Sequence, residues 1–295
     1  MKVLNKSKIF LGIATVVVVL SWVAIAILGL NPGIDLAGGT EWRVDFGEEV
    51  ISVDVTSFIL SNFNVDSSVS AISDGDFIIR LPEITEEAHQ EIAQGLKEEF
   101  GSFEERSFST VGPVIGQELK SKAIWAIFFV LLGISLFVAW AFREVSKPIN
   151  SWKYGITSLV ALVHDISIPA GVFAVLGYFY GIEVDTTFII AILVVLGFSV
   201  NDTIVVFDRI KENFILSKGK NRPLFDVINE SINETIMRSI NTSLTLVIVL
   251  VFLLIFGPET IFYFVLTILI GTIAGTYSSI FVASPLLYLW GKKSQ

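Results

Sequence analysis

Gly197-Phe-Ser-Val-Asn-Asp202 lies inside a long apolar run and places a carboxylate in it. The run continues through Thr203-Ile-Val-Val-Phe207 into the polar segment Asp208-Arg-Ile-Lys-Glu-Asn213. The chain returns through an amphipathic stretch, residues 223–236, and re-enters apolar sequence at Arg238-Ser-Ile-Asn-Thr-Ser243. An ionised side chain at the centre of a membrane helix costs about 2.5–3.5 kcal/mol even on lenient insertion scales, so Asp202 and Arg238 are candidates for function. The competing reading is a buried pair that only fixes helix packing, since polar residues also join membrane helices.

Working outward, the chain has 295 residues, 53% of them hydrophobic, and a mean hydropathy of +0.73. That composition belongs to a polytopic membrane protein rather than a soluble domain. Eighteen of the twenty-nine acidic residues fall between Asp35 and Glu118, which concentrates the net charge of −9 in one polar insertion. The acidity argues against nucleic-acid binding. There are no cysteines, which excludes disulfides, thiolate metal sites and cysteine nucleophiles, and the only two histidines, His89 and His164, are far apart. Neither a metal site nor a cofactor is expected.

Residues 9–30 are uncharged, follow Lys2, Lys6 and Lys8, and would extend about 33 Å as a helix, enough to cross a bilayer. Ala24-Ile-Ala26 resembles a signal-peptide cleavage site, but the apolar run exceeds the usual h-region, which favours an uncleaved anchor. After Asn31-Pro-Gly33, residues 40–46 alternate Trp42, Val44 and Phe46 with Glu41, Arg43 and Asp45, the period-two pattern of a half-buried strand. Residues 53–63 carry Val55, Phe58, Ile59 and Asn62 at helical spacing, with Ser52 placed to cap them. Residues 69–73 and 77–81 flank Asp74-Gly75, a hairpin signal. Thr85 precedes Glu86 and Glu87 as the N-cap of a second helix, in which Ala88, Ile92, Leu96 and Phe100 recur every fourth residue. His89 is expected on its solvated flank, and residues 107–111 as a last strand. The order β-α-β-β-α-β is the split βαβ, or ferredoxin-like, arrangement.

Further spans follow at residues 123–142, 154–180, 186–207, 239–256 and 261–290. The third span carries His164-Asp165 near its middle and Pro169 beyond. Adjacent helical residues do not share a face, so His164 and Asp165 are expected to point apart. Residues 223–236 set Leu224, Val227, Ile228, Ile232 and Ile236 against a polar face, behind Pro223 in the first turn. This reads as a helix lying in the cytoplasmic interface, or as one packed on protein. Gly271-x-x-x-Gly275 would let helices approach closely.

The expected fold is thus a polytopic α-helical membrane protein with six transmembrane helices and one α+β ferredoxin-like domain between the first and second. Its parts are residues 1–30 (cytoplasmic tail and first helix), 31–120 (extracytoplasmic domain) and 121–295 (five-helix bundle). Basic residues cluster at both termini and after the second and fourth spans, while the short turns 181–185 and 257–260 have none. This asymmetry places both termini in the cytoplasm of a multi-pass protein. No Gly-x-x-x-x-Gly-Lys-Ser/Thr loop or zincin motif appears, so neither an ATP motor nor an enzyme is expected. Asp165 and Asp202 lie at comparable depths, about 16 Å from Tyr154 and about 10 Å from Arg209 along their helices. An intramembrane aspartyl protease would pair them so, but Asp202 follows Ser-Val-Asn where that family carries Gly-x-Gly.

Gly197 to Asn213, Ser231 to Ser243, Asp35-Leu-Ala-Gly-Gly-Thr40 and Val111-Gly-Pro-Val-Ile-Gly116 together resemble the SecF family of protein-export membrane proteins, over essentially the whole chain. The resemblance implies one half of a machine similar to a resistance-nodulation-division (RND) transporter. Its implied role is as an auxiliary subunit of the Sec protein translocase in the cell membrane. There it would pair with a SecD-like subunit beside the SecYEG channel and use the proton motive force to promote preprotein translocation. By the resemblance Asp202 carries the proton, Arg238 is its cationic partner, and Asp165 belongs to the third-span His-Asp pair. The alternative is a stand-alone RND-type exporter of lipid or small molecules, disfavoured by the single polar domain. A half-transporter needs a partner to complete a midplane site, which agrees with the lack of an internal repeat.

Overall fold

The structure, a computed structural model, describes residues 3–46, 50–73, 75–143, 149–217 and 222–292. Lys2, Lys147, Lys218, Lys220 and Lys293 of the basic clusters, and Asp74 of the expected hairpin, lie outside the described residues. In chain order the elements are α1 (Ser7–Leu28), α2 (Ile34–Ala37), β1 (Gly39–Asp45), α3 (Ser52–Phe63), β2 (Ser68–Ser73), β3 (Asp76–Leu81), α4 (Glu86–Phe100) and β4 (Glu104–Val111). They continue as α5 (Pro113–Ala141), α6 (Ser151–Tyr180), α7 (Thr186–Leu216), α8 (Leu224–Phe256), α9 (Phe262–Ser278), a π-helical turn (Ser279–Ala283) and α10 (Ser284–Lys292). Among the described residues, six segments are long and apolar enough to cross a membrane: Val3–Leu28, Pro113–Ala141, Ser151–Tyr180, Thr186–Leu216, Leu224–Phe256 and Glu259–Lys292. The chain divides into two compact units, one of Met1–Leu30, Trp125–Ile182 and Thr187–Gln295, the other of Asn31–Ile124 and Glu183–Thr186.

The second unit is an antiparallel four-stranded sheet in the order β2-β3-β1-β4 with the split βαβ connection. The alternation of β1 is realised: Trp42 and Val44 are fully buried and Phe46 packs against their cluster, while Glu41, Arg43 and Asp45 turn to the other face. Trp42 lies opposite Ile79 and Phe108 in the ladder, and Val44 opposite Phe77. On the polar face Arg43 pairs with Asp76, and Arg106 reaches Asp45 at 2.9 Å. Thr85 caps α4, its hydroxyl accepting from the Ala88 amide at 3.3 Å.

Two local expectations need correction. Ser52 is the first residue of α3 rather than its cap; Ile51 holds the cap position and no side chain closes it. Asp54 in that first turn supplies the negative charge a helix N-terminus favours. His89 is not solvated but only 4% exposed, stacked on Phe108 at 3.9 Å and edge-on to Trp42 at 4.6 Å. The apolar stripe of a packed helix is wider than one row, and His89 sits in the second row, one turn before the buried Ala93.

Residues 183–186 belong to this same unit. Val184 bridges Pro32: the Val184 amide donates to the Asn31 carbonyl at 2.7 Å, and the Gly33 amide donates to the Val184 carbonyl at 3.0 Å. Glu183 pairs with Arg80. Burial nevertheless pushes the Glu183 carboxyl up from 4.5 to about 7, helped by Glu41, Asp185 and Asp35 and opposed by Arg80. Between about pH 4.5 and 7 the attached loop therefore holds a proton that a detached loop releases. The carboxyl's contribution to attachment is full below pH 4.5 and lost as pH rises through 7. Protection of the Val184 amide, corrected for intrinsic exchange, should fall about tenfold from pH 5 to pH 8, a figure discounted for solvent screening. Glu183→Gln should flatten that dependence; an unchanged slope in the variant would show that another group titrates.

In the helical unit, small residues set the approach of neighbours. On α6, Gly155 faces Ser135 and Ala139 of α5, with the Ser135 hydroxyl donating to the Gly155 carbonyl at 2.9 Å. A Cβ at Gly171 would lie 2.5 Å from that of Ser21 on α1, and one at Gly275 of α9 would lie 2.9 Å from that of Ser199 on α7. The Gly271-x-x-x-Gly275 expectation is met in this way. Pro169 is accommodated inside α6, which stays helical through Tyr180.

Residues 223–236 are not a separate surface helix. Leu224–Phe256 is one continuous helix, with Pro223 at its cap position rather than in the first turn. Leu224, Ile228 and Ile232 are buried in a cluster with Val206, Phe207 and Ile210 of α7, so the apolar stripe meets protein. Nothing between Ile236 and Ser239 breaks a helix, and 33 residues extend about 50 Å, more than a bilayer's hydrocarbon core needs. The first turns therefore have length to spare for packing.

Candidate functional site

Asp165 on α6 is fully buried and each of its oxygens is engaged. Oδ2 accepts from the Ser199 hydroxyl of α7 and from the Ser278 hydroxyl of α9, the latter at 2.8 Å. Oδ1 lies 2.8 Å from His164 Nδ1, and His164 Nε2 is hydrogen-bonded to the Tyr277 hydroxyl. The expectation that His164 and Asp165 point apart is thus wrong. The two Cβ atoms do diverge, but α6 is packed by several neighbours, so both directions lead inward and the imidazole curls over to its neighbour's carboxylate. Both side chains are at most 4% exposed.

Asp202 on α7 is 7% exposed and accepts from the Ser279 hydroxyl at 2.6 Å. The two carboxylates come from different helices yet are met by consecutive residues, Ser278 and Ser279. Neither carboxylate hydrogen-bonds the other, unlike a protease dyad sharing a proton. Ser199 precedes Asp202 by less than one helical turn, so α7 supplies a donor to Asp165 and an acceptor to Ser279. Arg238 is not brought to this site. It is exposed on α8 and makes no ion pair among the described residues. Met237 and Ile240 beside it are exposed as well. Of the three candidate residues, two are therefore enclosed by the chain's own helices and only the guanidinium is left outside.

A second polar cluster explains motif residues to which sequence reasoning gave no role. Asn213 on α7 donates to Ser231 at 2.9 Å and to Glu234 at 2.8 Å, and Arg209 donates to Glu234 at 2.7 Å, tying α7 to α8. The i, i+4 spacing of Arg209 and Asn213 was the available signal. Ser278, Ser279 and Tyr277 gave no such signal in an apolar run. Among the described residues no group of three or more His, Asp or Glu side chains could hold a metal ion.

The family described as "Protein export membrane protein SecD/SecF, C-terminal" matches residues 91–293 of the chain. The chain belongs to the SecD/SecF family. The family's "GG Motif" matches residues 23–47, which include Gly38-Gly39. Gly38 has φ +80° and lies against Pro113, so the first glycine serves a left-handed turn under close backbone approach. Relatives include a protein translocase subunit SecF of Thermobaculum terrenum, 40% identical over 96% of this chain and 92% of the relative. Another, of Sebaldella termitidis, is 36% identical over 98% and 91%. A crystal structure of SecDF from Thermus, a translocon-associated membrane protein, matches 98% of this chain with a TM-score of 0.83 at 31% identity. This chain spans 38% of that SecDF chain. SecDF in a super-membrane-facing form matches with a TM-score of 0.69 at 30% identity.

Proposed function

We propose that this chain is an auxiliary subunit of the Sec protein translocase in the cell membrane. It would work with a SecD-like subunit beside the SecYEG channel and use the proton motive force to promote preprotein translocation. The observation that carries the reading is the pair of buried carboxylates, Asp165 and Asp202, held by hydroxyls from neighbouring helices of a six-span chain of this family. Buried carboxylates in membrane helices mark proton pathways, and no phosphate-binding loop offers another energy source. In this reading Asp202 carries the proton and Asp165 shares its network. Arg238, exposed on α8, is the cationic partner. Its approach to Asp202 in another state would hold the carboxylate ionised, and its exposure calls for a covering subunit.

The test is translocation of a preprotein into inverted vesicles with and without an imposed proton gradient. Gradient stimulation should require this chain; equal stimulation in vesicles lacking it would overturn the reading. The orientation follows from the basic-residue asymmetry: both termini cytoplasmic, and residues 31–120 on the opposite side. The chain has no cysteine, so single cysteines at the exposed Ser102 and Asn150 report on a clean background. An impermeant thiol reagent added to intact cells should label Ser102→Cys and spare Asn150→Cys. The reverse pattern would invert the topology.

A further inference from the structure

Ser278 and Ser279 each stand between a carboxylate and a main-chain carbonyl. The Ser278 hydroxyl lies 2.8 Å from Asp165 Oδ2 and 3.2 Å from the Gly275 carbonyl. The Ser279 hydroxyl lies 2.6 Å from Asp202 Oδ2 and 3.0 Å from the Thr276 carbonyl. A hydroxyl has one hydrogen to donate, so each serine serves one acceptor at a time. An ionised carboxylate offers only acceptors and takes the serine hydrogen. A protonated one brings its own hydrogen, can donate to the serine oxygen, and releases the serine to its carbonyl.

The two switches are not independent. They are consecutive residues at the point where α9 passes into the π-helical turn Ser279–Ala283. Turns of this kind interrupt the regular hydrogen-bond ladder and recur at functional sites; here the Ser284 hydroxyl donates to the Ser279 carbonyl at 3.0 Å. Ser199, which donates to Asp165, shares α7 with Asp202. The connections therefore close a ring, from Asp165 through Ser199 and α7 to Asp202, then through Ser279 and Ser278 back to Asp165.

We propose that Ser278 and Ser279 are positioning residues that couple the protonation of Asp165 to that of Asp202, so that the two carboxylates titrate as one unit rather than separately. The proposal deepens the proton-driven reading given above and rests on it for its biological meaning. Its physical content is independent: ionisable groups that are strongly coupled titrate in macroscopic steps belonging to the pair. Among the described residues, the titratable side chains hydrogen-bonded into the ring are His164, on Asp165, and Tyr277, on His164.

The experiment is pH-dependent infrared spectroscopy of the full chain in lipid, following the carboxyl bands. Asp165→Asn and Asp202→Asn assign the bands by their loss. In the unmodified chain the two bands should change over the same pH interval. In Ser279→Ala they should separate by about one pH unit, a tenfold difference in proton affinity, and Ser279→Thr, which keeps the hydroxyl, should bring them together again. Separate titration in the unmodified chain, or bands that stay together in Ser279→Ala, would overturn the coupling. A merely structural serine would alter stability without moving the bands. If the bands behave as stated while vesicle translocation ignores the gradient, the functional reading fails and the coupling stands.

Discussion

Asp202→Asn is expected to reduce gradient-stimulated translocation to the level seen without a gradient, while the protein still folds and assembles. Asparagine matches aspartate in size and can still accept from the Ser279 hydroxyl, which lies 2.6 Å from the native carboxylate. Nothing in the packing around Asp202 therefore requires the charge. Were Asp202 only a packing residue, its neutralisation would be tolerated or even stabilising, because a buried charge is costly to desolvate. Asparagine cannot take up and release a proton, so a proton-carrying role is lost outright. The measurement is translocation into vesicles at matched protein level, with and without an imposed gradient. Full stimulation in the variant would leave the packing reading as the correct one.

The spans and the β-α-β-β-α-β order were legible because they rest on quantities carried by sequence alone: uncharged length, period-two alternation at Trp42, Val44 and Phe46, and a capping threonine at Thr85. What failed was whatever depends on the opposing surface. His89 lies beside the expected stripe, and only the ring of Phe108 opposite it makes that position interior. His164 and Asp165 diverge on an isolated helix but converge when neighbours surround α6, because rotamers then fold both side chains inward. Leu224, Ile228 and Ile232 form a stripe that would suit lipid or protein equally, and the α7 residues Val206 and Ile210 decide it. Asp165 and Asp202 could be nominated because a lone carboxylate in an apolar run is conspicuous. Ser278 and Ser279 could not, because serines are common where membrane helices approach closely and gain meaning only from the carboxylates opposite. Arg238 shows the limit in the other direction: its charge is conspicuous, but its exposure on α8 depends on a helix face that composition does not define.

Gly275→Val is expected to destabilise the bundle by about 1–3 kcal/mol through overpacking, and to disturb the carboxylate site with it. A Cβ at Gly275 would stand 2.9 Å from Ser199 Cβ, 3.1 Å from its hydroxyl and 3.3 Å from its Cα. The first two contacts are with a short side chain that has no room to swing, and the third is with backbone. Valine adds two further methyls on the same carbon, so α9 must move away from α7. That movement stretches the site at both carboxylates. Ser278 lies three residues beyond Gly275 and binds Asp165, Ser279 binds Asp202, and Ser199 itself donates to Asp165. Intrinsic propensity acts in the opposite sense, since glycine is the poorest helix former after proline. Gly197→Val on α7 is the control, because a Cβ there meets nothing within 4 Å. That variant should be neutral or slightly stabilising in equilibrium unfolding from mixed micelles, whereas Gly275→Val should lose stability. Ser199→Gly removes the two nearer of the three atoms that the valine meets, so the double variant Ser199→Gly/Gly275→Val should recover part of the loss, with a favourable coupling of about 1 kcal/mol or more. Additive effects in that cycle would mean that the approach of α9 to α7 is not limited by this contact.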